Sequence, residues 1–413
     1  MQTIRIISEL YYPEETSTGY FVTGIAEGLA RKNAYEVSVL CAQPSYSQKG
    51  VLAPRSETSN GVVIRRLGAP AGDKNRLFGR LWNVFSLTLR FGFSMFGYIQ
   101  RGDRVLVLTN PPSLPLLVVW IAKFKGATTV LLVHDVYPDV LVPTGITREG
   151  SLLYRVVDCL QRHVLRQMEA IVVLGRDMEV RLRAKLGAGT RQPKFSIIPN
   201  WGEADEITPH SRVANKLRSQ HGLEDKFIIQ FSGNLGRTHG LEDLVALTKR
   251  LKDVEDVHFL IFGWGAGRDW LAATIEASKL ENVTLLPPCD KAELAKYLTA
   301  CDLFFMPFKK GMEGISVPSR LYNVMSAGNP ILAIAGAESE LAQVVIEESM
   351  GWVVAPGDVD AMLAAVAQAR QNPESLEAMR THARAALEAK YTREIVVVRF
   401  AALFEGMNQS NGE

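Results

Sequence analysis

The chain has 413 residues, of which 47% are hydrophobic and 22% charged, and its formal net charge is +2. This length fits two or three domains, and the composition is that of a globular protein with a sizeable core, which excludes disordered, fibrous and disulfide-stapled classes. No nucleic-acid partner is expected at such a balance, although the charge is uneven: residues 1–200 carry 25 Lys/Arg against 15 Asp/Glu, and residues 201–413 carry 21 against 29. Either the first half faces something anionic, such as a membrane surface or a phosphorylated acceptor, or the asymmetry is an accident of surface composition. Cys41, Cys159, Cys289 and Cys301 are scattered without metal-ligand spacing and read as reduced, buried and cytosolic. No signal peptide is expected, and the longest apolar candidate, Leu114 to Ala122, is too short to span a bilayer.

The first expected strand, Thr3–Ile7, leads into the polar loop Glu9 to Tyr20 and a helix over Val22–Leu29. Gly19 at that helix start is open to two roles, touching a donor phosphate or admitting an acceptor; the rest of the loop reads equally well as a plain connector. Strands Glu36–Cys41 and Val62–Leu67 follow. Residues 74–102 then carry Lys74, Arg76, Arg80, Arg90 and Arg101 with no acidic residue, among many Phe, Leu and Trp. A basic, aromatic amphipathic helix suits a lipid interface, and the competing reading is a helix packed on a sheet with its basic face in water. Strand Arg104–Leu108 precedes Thr128–His134, which ends in His134-Asp135, a position from which His134 can donate to a sugar hydroxyl or take a proton. Strands Ala170–Leu174 and Lys194–Ile198 complete the first set, and the turn-rich Pro199 to Gly202 closes it.

The second set comprises Phe227–Phe231, Val257–Phe262, Val283–Leu286, Leu303–Pro307, Pro330–Ile334 and Trp352–Ala355. Apolar strands alternating with helices predict parallel sheets covered on both faces. Two such sets predict two doubly wound α/β domains with ligands bound beyond the C-terminal strand edges, in an interdomain cleft. The expected division is residues 1–200, then 201–390, then a C-terminal helix and tail over 391–413 that crosses back to the first domain.

Strand Phe227–Phe231 runs into Ser232-Gly-Asn-Leu-Gly236-Arg-Thr-His-Gly240, whose glycines allow close approach to a ligand. Gly233, Asn234, Arg237 and His239 are candidate phosphate neighbours there. After Leu303–Pro307 comes Glu313 to Pro330, read as a loop opening into a helix from Ser316–Ser319 and closing at Gly328. Free N–H groups around Ile315, Ser316 and Val317, with Arg320 as a forked donor, make an anion cradle, and Glu313 and Asn323 flank it as hydroxyl binders. Two helix ends converging on one point suit a diphosphate. Gly263-Trp-Gly265-Ala-Gly267 is only a weak dinucleotide signal, because the first strand–helix unit lacks it and no acidic residue closes a following strand. It reads as a tight turn over which a nucleoside lies.

Together these motifs resemble family 4 glycosyltransferases of the GT-B fold, within them the bacterial branch that builds cell-surface polysaccharides of colanic-acid and O-antigen type. The resemblance spans nearly the whole chain and rests on the Gly19 loop, His134-Asp135, Ile198-Pro-Asn-Trp201, Ser232-Gly-Asn-Leu-Gly236 with Gly240-Leu241, and Pro318-Ser-Arg-Leu-Tyr-Asn323 with Met325-Ser-Ala-Gly328. It implies a nucleotide-sugar donor, by family habit a UDP-sugar, retention at the anomeric carbon, no cofactor and no metal. It implies that Glu313 takes the place of the first glutamate of the family's paired motif and acts on the donor sugar, with His134. Asn323 falls where many members have the second, ribose-binding glutamate, two residues further from Pro318 than usual. Asn234 and His239 stand roughly where many members carry an Arg and a Lys, so Arg237, Arg320, Lys309 or Lys310 is expected to compensate.

The implied function is a retaining glycosyltransferase at the cytoplasmic face of the plasma membrane, with a lipid-linked or oligosaccharide acceptor. The alternatives are a sugar-nucleotide 2-epimerase of the same fold, for which no suitable set of carboxylates is identified, and a two-domain sugar-binding protein, against which the absence of a signal peptide argues.

Overall fold

A computed structural model describes residues 2–44, 52–68, 77–187, 192–210, 212, 214–236 and 239–407, without the side chains of 77–81. Lys74, Arg76, Arg237 and the tail 408–413 lie outside the described residues, as does the side chain of Arg80. The chain divides into two compact units, one of Met1–Val142, Thr147–Asn200 and Arg393–Glu413, the other of Pro143–Ile146 and Trp201–Thr392.

The first unit contains, in chain order, β1 (Gln2–Ile7), α1 (Ser17–Ala30), β2 (Tyr35–Ala42), β3 (Ser56–Ser59), β4 (Val62–Leu67), α2 (Leu77–Tyr98), β5 (Arg104–Leu108), α3 (Leu114–Lys125), β6 (Thr128–Val133), α4 (Leu152–Gln167), β7 (Ala170–Val173), α5 (Arg176–Leu186) and β8 (Lys194–Ile197). The sheet order is β3-β4-β2-β1-β5-β6-β7-β8, parallel except for the β3–β4 pair. Every residue of β5 and β7 is buried, as a strand covered on both faces requires. The order reverses at β1, which lies between β2 and β5.

The second unit contains α6 (Lys216–Gln220), β9 (Phe227–Asn234), α7 (Leu241–Arg250), β10 (Val257–Trp264), α8 (Arg268–Ala277), β11 (Val283–Leu286), α9 (Leu294–Leu298), β12 (Leu303–Pro307), α10 (Arg320–Ser326), β13 (Ile331–Ile334), α11 (Glu340–Glu347), β14 (Gly351–Val354), α12 (Val359–Gln371) and α13 (Pro373–Lys390). Its six strands are all parallel, in the order β11-β10-β9-β12-β13-β14. This is the doubly wound order with its switch point between β9 and β12. Phe231, Phe259, Phe305 and Leu332 lie at the centre of its core under α7 and α12. The last helix, α14 (Arg393–Gly406), belongs to the first unit. It packs so closely on α1 that a Cβ at Gly28 would stand 2.4 Å from Val397 Cγ2.

Two parallel α/β sheets are what the alternating pattern predicts, with differences in detail. The edge strand β3 is unannounced because its sequence, Ser-Glu-Thr-Ser, has no apolar residue to bury. Strands β9 and β10 continue through Gly233 and Gly263 to Asn234 and Trp264. The helix expected from Ser316 starts only at Arg320 and is seven residues long, because Pro318 has no N–H to donate and disfavours helical backbone at Val317. The four cysteines are not uniformly buried: Cys159 is exposed on α4, and Cys289, in the segment after β11, is half-buried.

Candidate active site

In a doubly wound sheet the crevice at the switch point receives ligands, because the loops leaving the two flanking strands diverge there. In the second unit those are the loops after β9 and β12, which carry most of the residues singled out above.

Arg320, the first residue of α10, joins that helix to the end of β9. Its Nη1 donates to the Ser232 carbonyl at 2.8 Å, and its guanidinium lies over the Phe231 ring, 4.9 Å from the centroid. Gly233 has φ +118°, and a Cβ there would stand 3.3 Å from Arg320 Nη1, so only glycine keeps this strand end unstrained and leaves the guanidinium in place. Burial lowers the Arg320 pKa to about 10, which leaves it charged at neutral pH. The same burial, reinforced by the Arg320 charge, lowers His239 to about 3. His239 is therefore a neutral hydrogen-bonding group, not the cation that the resemblance implies at this position. Asn234 is exposed, and its side chain lies against Gly236 and Gly265: a Cβ at Gly265 would stand 2.5 Å from Asn234 Oδ1. Lys309 Nζ donates to the Pro143 carbonyl at 3.3 Å, and Lys310 is exposed.

After β12, Gly311 N–H donates to Glu313 Oε2 at 2.8 Å, which orients the carboxylate. A Cβ at Gly336 would stand 2.6 Å from Glu313 Oε1, so Gly336 supplies the space that Glu313 occupies. Ile315 and Val317 have buried side chains and Ser316 a half-buried one. A ligand contact at Ile315 or Val317 would run through the backbone. The first turn of α7 carries Glu242 and Asp243, so its end is less suited to an anion than the glycine loop before it implies.

Asn323 on α10 accepts a hydrogen bond from Glu203 N–H through Oδ1, at 3.3 Å. Its amide nitrogen is the group left to face a ligand. Trp201 Nε1 donates to Glu203 Oε1 at 3.1 Å, which holds that segment together. Asn323 and Arg320 line one cavity of about 210 Å³ with Ser232, Gly233, Trp264, Pro288 and Cys289. Its walls are mainly apolar, which suits a flat heterocycle, and Arg320 and Asn323 are among its polar lining residues.

Sequence reasoning missed three parts of this site. Gly336 gives no signal beyond following an apolar strand. Glu203 lies just after Pro199 to Gly202, a stretch read only as a turn-rich break. Pro288 and Cys289 follow β11, whose C-terminal end points the same way as those of β9 and β12, and that topology is the signal that could have found them.

The remaining two candidates lie in the first unit. Gly19 is in the first turn of α1, where its N–H donates to Thr16 Oγ1 at 3.3 Å and a Cβ would stand 2.6 Å from the Glu14 carbonyl oxygen. That close approach, rather than φ, requires glycine. His134 follows β6, and its N–H donates to Thr109 Oγ1 at 3.3 Å. The ring is buried, Nε2 has no hydrogen-bond partner, and burial lowers its pKa to about 4. Burial raises the adjacent Asp135 to about 6. The structure thus groups Gly233, Asn234, His239, Glu313, Arg320 and Asn323 in the second unit, and it places Gly19 and His134 separately, after β1 and β6 of the first.

Comparisons with known proteins agree in class. Residues 213–386 match the model for glycosyl transferases group 1, and residues 18–201 match that for the glycosyl transferase 4-like domain. A protein of Pseudomonas aeruginosa described as a probable glycosyltransferase, WbjE, is 29% identical over 97% of each chain. WcaI of Escherichia coli K12, whose name assigns it to colanic acid biosynthesis, is 27% identical over 92% of this chain and 94% of its own. Among solved structures, a sucrose-phosphate synthase from Thermosynechococcus elongatus aligns with a TM-score of 0.77 at 17% identity, covering 99% of this chain and all of that one.

Proposed function

The chain belongs to family 4 of the GT-B glycosyltransferases, and from that premise we propose that it moves a sugar from a UDP-sugar to a lipid-linked or saccharide acceptor, with retention and without a metal, during assembly of a cell-surface polysaccharide. The observation that carries this reading is Arg320, fixed on the Ser232 carbonyl beside Gly233 and lining a 210 Å³ cavity whose wall includes Asn323. A nucleoside in the cavity would place its diphosphate beside the guanidinium.

The chemistry follows from that placement. As the glycosidic bond to the diphosphate breaks, negative charge grows on the leaving oxygens, and a fixed cation stabilises it without reorganising. Glu313, anchored by Gly311 N–H, accepts from donor-sugar hydroxyls and opposes the positive charge that develops at the anomeric carbon. The acceptor oxygen attacks on the face the diphosphate leaves, and its proton passes to a leaving phosphate oxygen. His134, neutral at pH 7, is a hydrogen-bonding group for a sugar hydroxyl rather than a counter-ion. Asp135 is a second candidate for binding hydroxyls in the first unit. The 2-epimerase alternative finds no support, since both family models and both relatives are glycosyltransferases.

Calorimetric titration with UDP and GDP, paired with a transfer assay on a lipid-linked acceptor, tests the proposal. UDP should bind, and Arg320→Met should weaken it by about 10- to 100-fold, the value of a charge-assisted hydrogen bond. Glu313→Ala should bind UDP normally yet lose about 100-fold or more in turnover. EDTA should leave turnover unchanged, and the product should keep the donor's anomeric configuration by NMR. Absence of any nucleotide binding would overturn the reading.

A further inference from the structure

Helix α2 has two apolar faces. Leu87, Phe91, Met95 and Tyr98 recur every three or four residues and are buried. Roughly half a turn away, at the same spacing, Trp82, Phe85, Leu89, Phe93 and Phe96 are all exposed, Phe93 at 82%. A surface helix of a soluble protein normally has charged or polar residues on that outer face.

The stripe does not end with α2. The Phe96 ring stacks on Phe124 of α3 with centroids 5.6 Å apart, and Phe124 is 74% exposed. One turn earlier Trp120, 62% exposed, stacks on His163 of α4 at 5.8 Å. From His163 the surface continues along α4 through Leu160, Val156 and Leu153, again one turn apart and exposed. Three helices of one unit thus present a joined aromatic and aliphatic face, larger than the scattered apolar residues of an ordinary monomer surface.

The surface charges that these three helices themselves carry have one sign. Lys123 and Lys125 end α3, the latter with Nζ 4.3 Å from the Phe96 ring centroid, and Arg155 and Arg166 project from α4. Among the described residues of these helices the only acidic group is Asp158, which is buried and paired with Lys185 and Arg162. No described helix is long and apolar enough to cross a membrane. A second copy of the chain is a poor occupant, because two-fold pairing would bring the same cations against each other. An apolar face rimmed by uncompensated cations instead complements a surface with a hydrocarbon interior and anionic headgroups.

We infer that α2, α3 and α4 form a docking face for an anionic lipid bilayer, with Phe93, Phe124 and Trp120 inserted among the acyl chains and Lys123, Lys125, Arg155 and Arg166 at the headgroups. This deepens the proposed transfer to a lipid-linked acceptor by assigning the surface that meets the lipid, and it rests on that reading only for its biological sense. Vesicle binding and nucleotide binding are separate measurements: UDP binding without vesicle binding removes this inference alone, and the converse removes the proposed transfer alone.

The test is co-sedimentation of the full chain with vesicles of phosphatidylglycerol and phosphatidylcholine in equal parts, and with phosphatidylcholine alone. Wild type should partition onto the anionic vesicles, less so as salt is raised. Phe93→Ser combined with Phe124→Ser should lower partitioning at least about tenfold. Lys123→Glu combined with Arg166→Glu should abolish the preference for anionic lipid, and Ile346→Ser, on α11 of the other unit, should bind as wild type. Unchanged melting temperatures certify that the variants are folded. Wild-type partitioning by the double Phe variant, or equal binding to both vesicle types, would overturn the inference. So would a concentration-dependent dimer, seen by light scattering, that the Phe substitutions dissolve without any vesicle binding.

Discussion

A single buried imidazole shows how far the site's electrostatics depart from those of free side chains. His134 has its pKa lowered from 6.5 to about 4 by burial alone, with Nε2 unpartnered. Between those values the unfolded chain binds a proton that the folded chain does not, so stability is lost as pH falls through that window. At pH 5 the loss from His134 is about 2 kcal/mol relative to pH 7. Asp135, raised to about 6, works in the opposite sense, because the folded chain holds the extra proton below that pH. His239, lowered to about 3, and His258, lowered to about 4, act in the same direction as His134 and keep the balance on the acid-labile side. Urea unfolding at pH 7 and pH 5 should therefore show wild type less stable at the lower pH. His134→Asn should reduce that difference by about 2 kcal/mol; an undiminished difference would mean that His134 is not buried in its neutral form.

At the scale of elements, the site in the second unit depends on two strands that run past their apolar stretches. Strands β9 and β10 pair Gly233 with Gly263, and a Cβ at Gly263 would stand 1.9 Å from the Gly233 carbonyl oxygen. Gly263→Ala also places a side chain at φ +146°, so the paired ends must separate. That should cost at least about 2 kcal/mol of stability and, because Gly233 supports the Arg320 position, should weaken UDP binding in calorimetry; wild-type affinity would disconnect the strand ends from the site. The same feature marks where the sequence stops being legible. The runs Arg104–Leu108 and Leu303–Pro307 have the same bounds in the structure, since a doubly covered strand must be apolar along most of its length. Glycine–glycine pairing beyond Phe231 and Phe262, and the all-polar edge strand Ser56–Ser59, carry no burial signal, so they cannot be read from hydropathy. Glu313, Arg320 and Asn323 are legible because motif and strand-end position coincide. Gly336, Glu203 and Cys289 are not, because their relation to those residues exists only after folding.

For the molecule as a whole, the division of labour follows the division of the chain. Gly233, Glu313, Arg320 and Asn323 all belong to the second unit, and each unit has its own sheet and its own core. A ligand that binds only folded protein stabilises whatever must unfold to release it, by about 2.7 kcal/mol at a hundred times its dissociation constant. If UDP is held by second-unit residues alone, that increment appears in the amides protected by that unit's core and not in those of the other. Hydrogen exchange of the full chain with and without saturating UDP separates the two. Amides of β9 and β12 that exchange through unfolding of their unit should slow by up to about 100-fold, while those of β5 and β6 keep their rates. Arg320→Met should shrink the protection in proportion to its lost affinity. Equal slowing in β5 and β6 would show that the nucleotide also draws on the first unit, and the loop carrying Gly19 would then be the first place to look for the added contact.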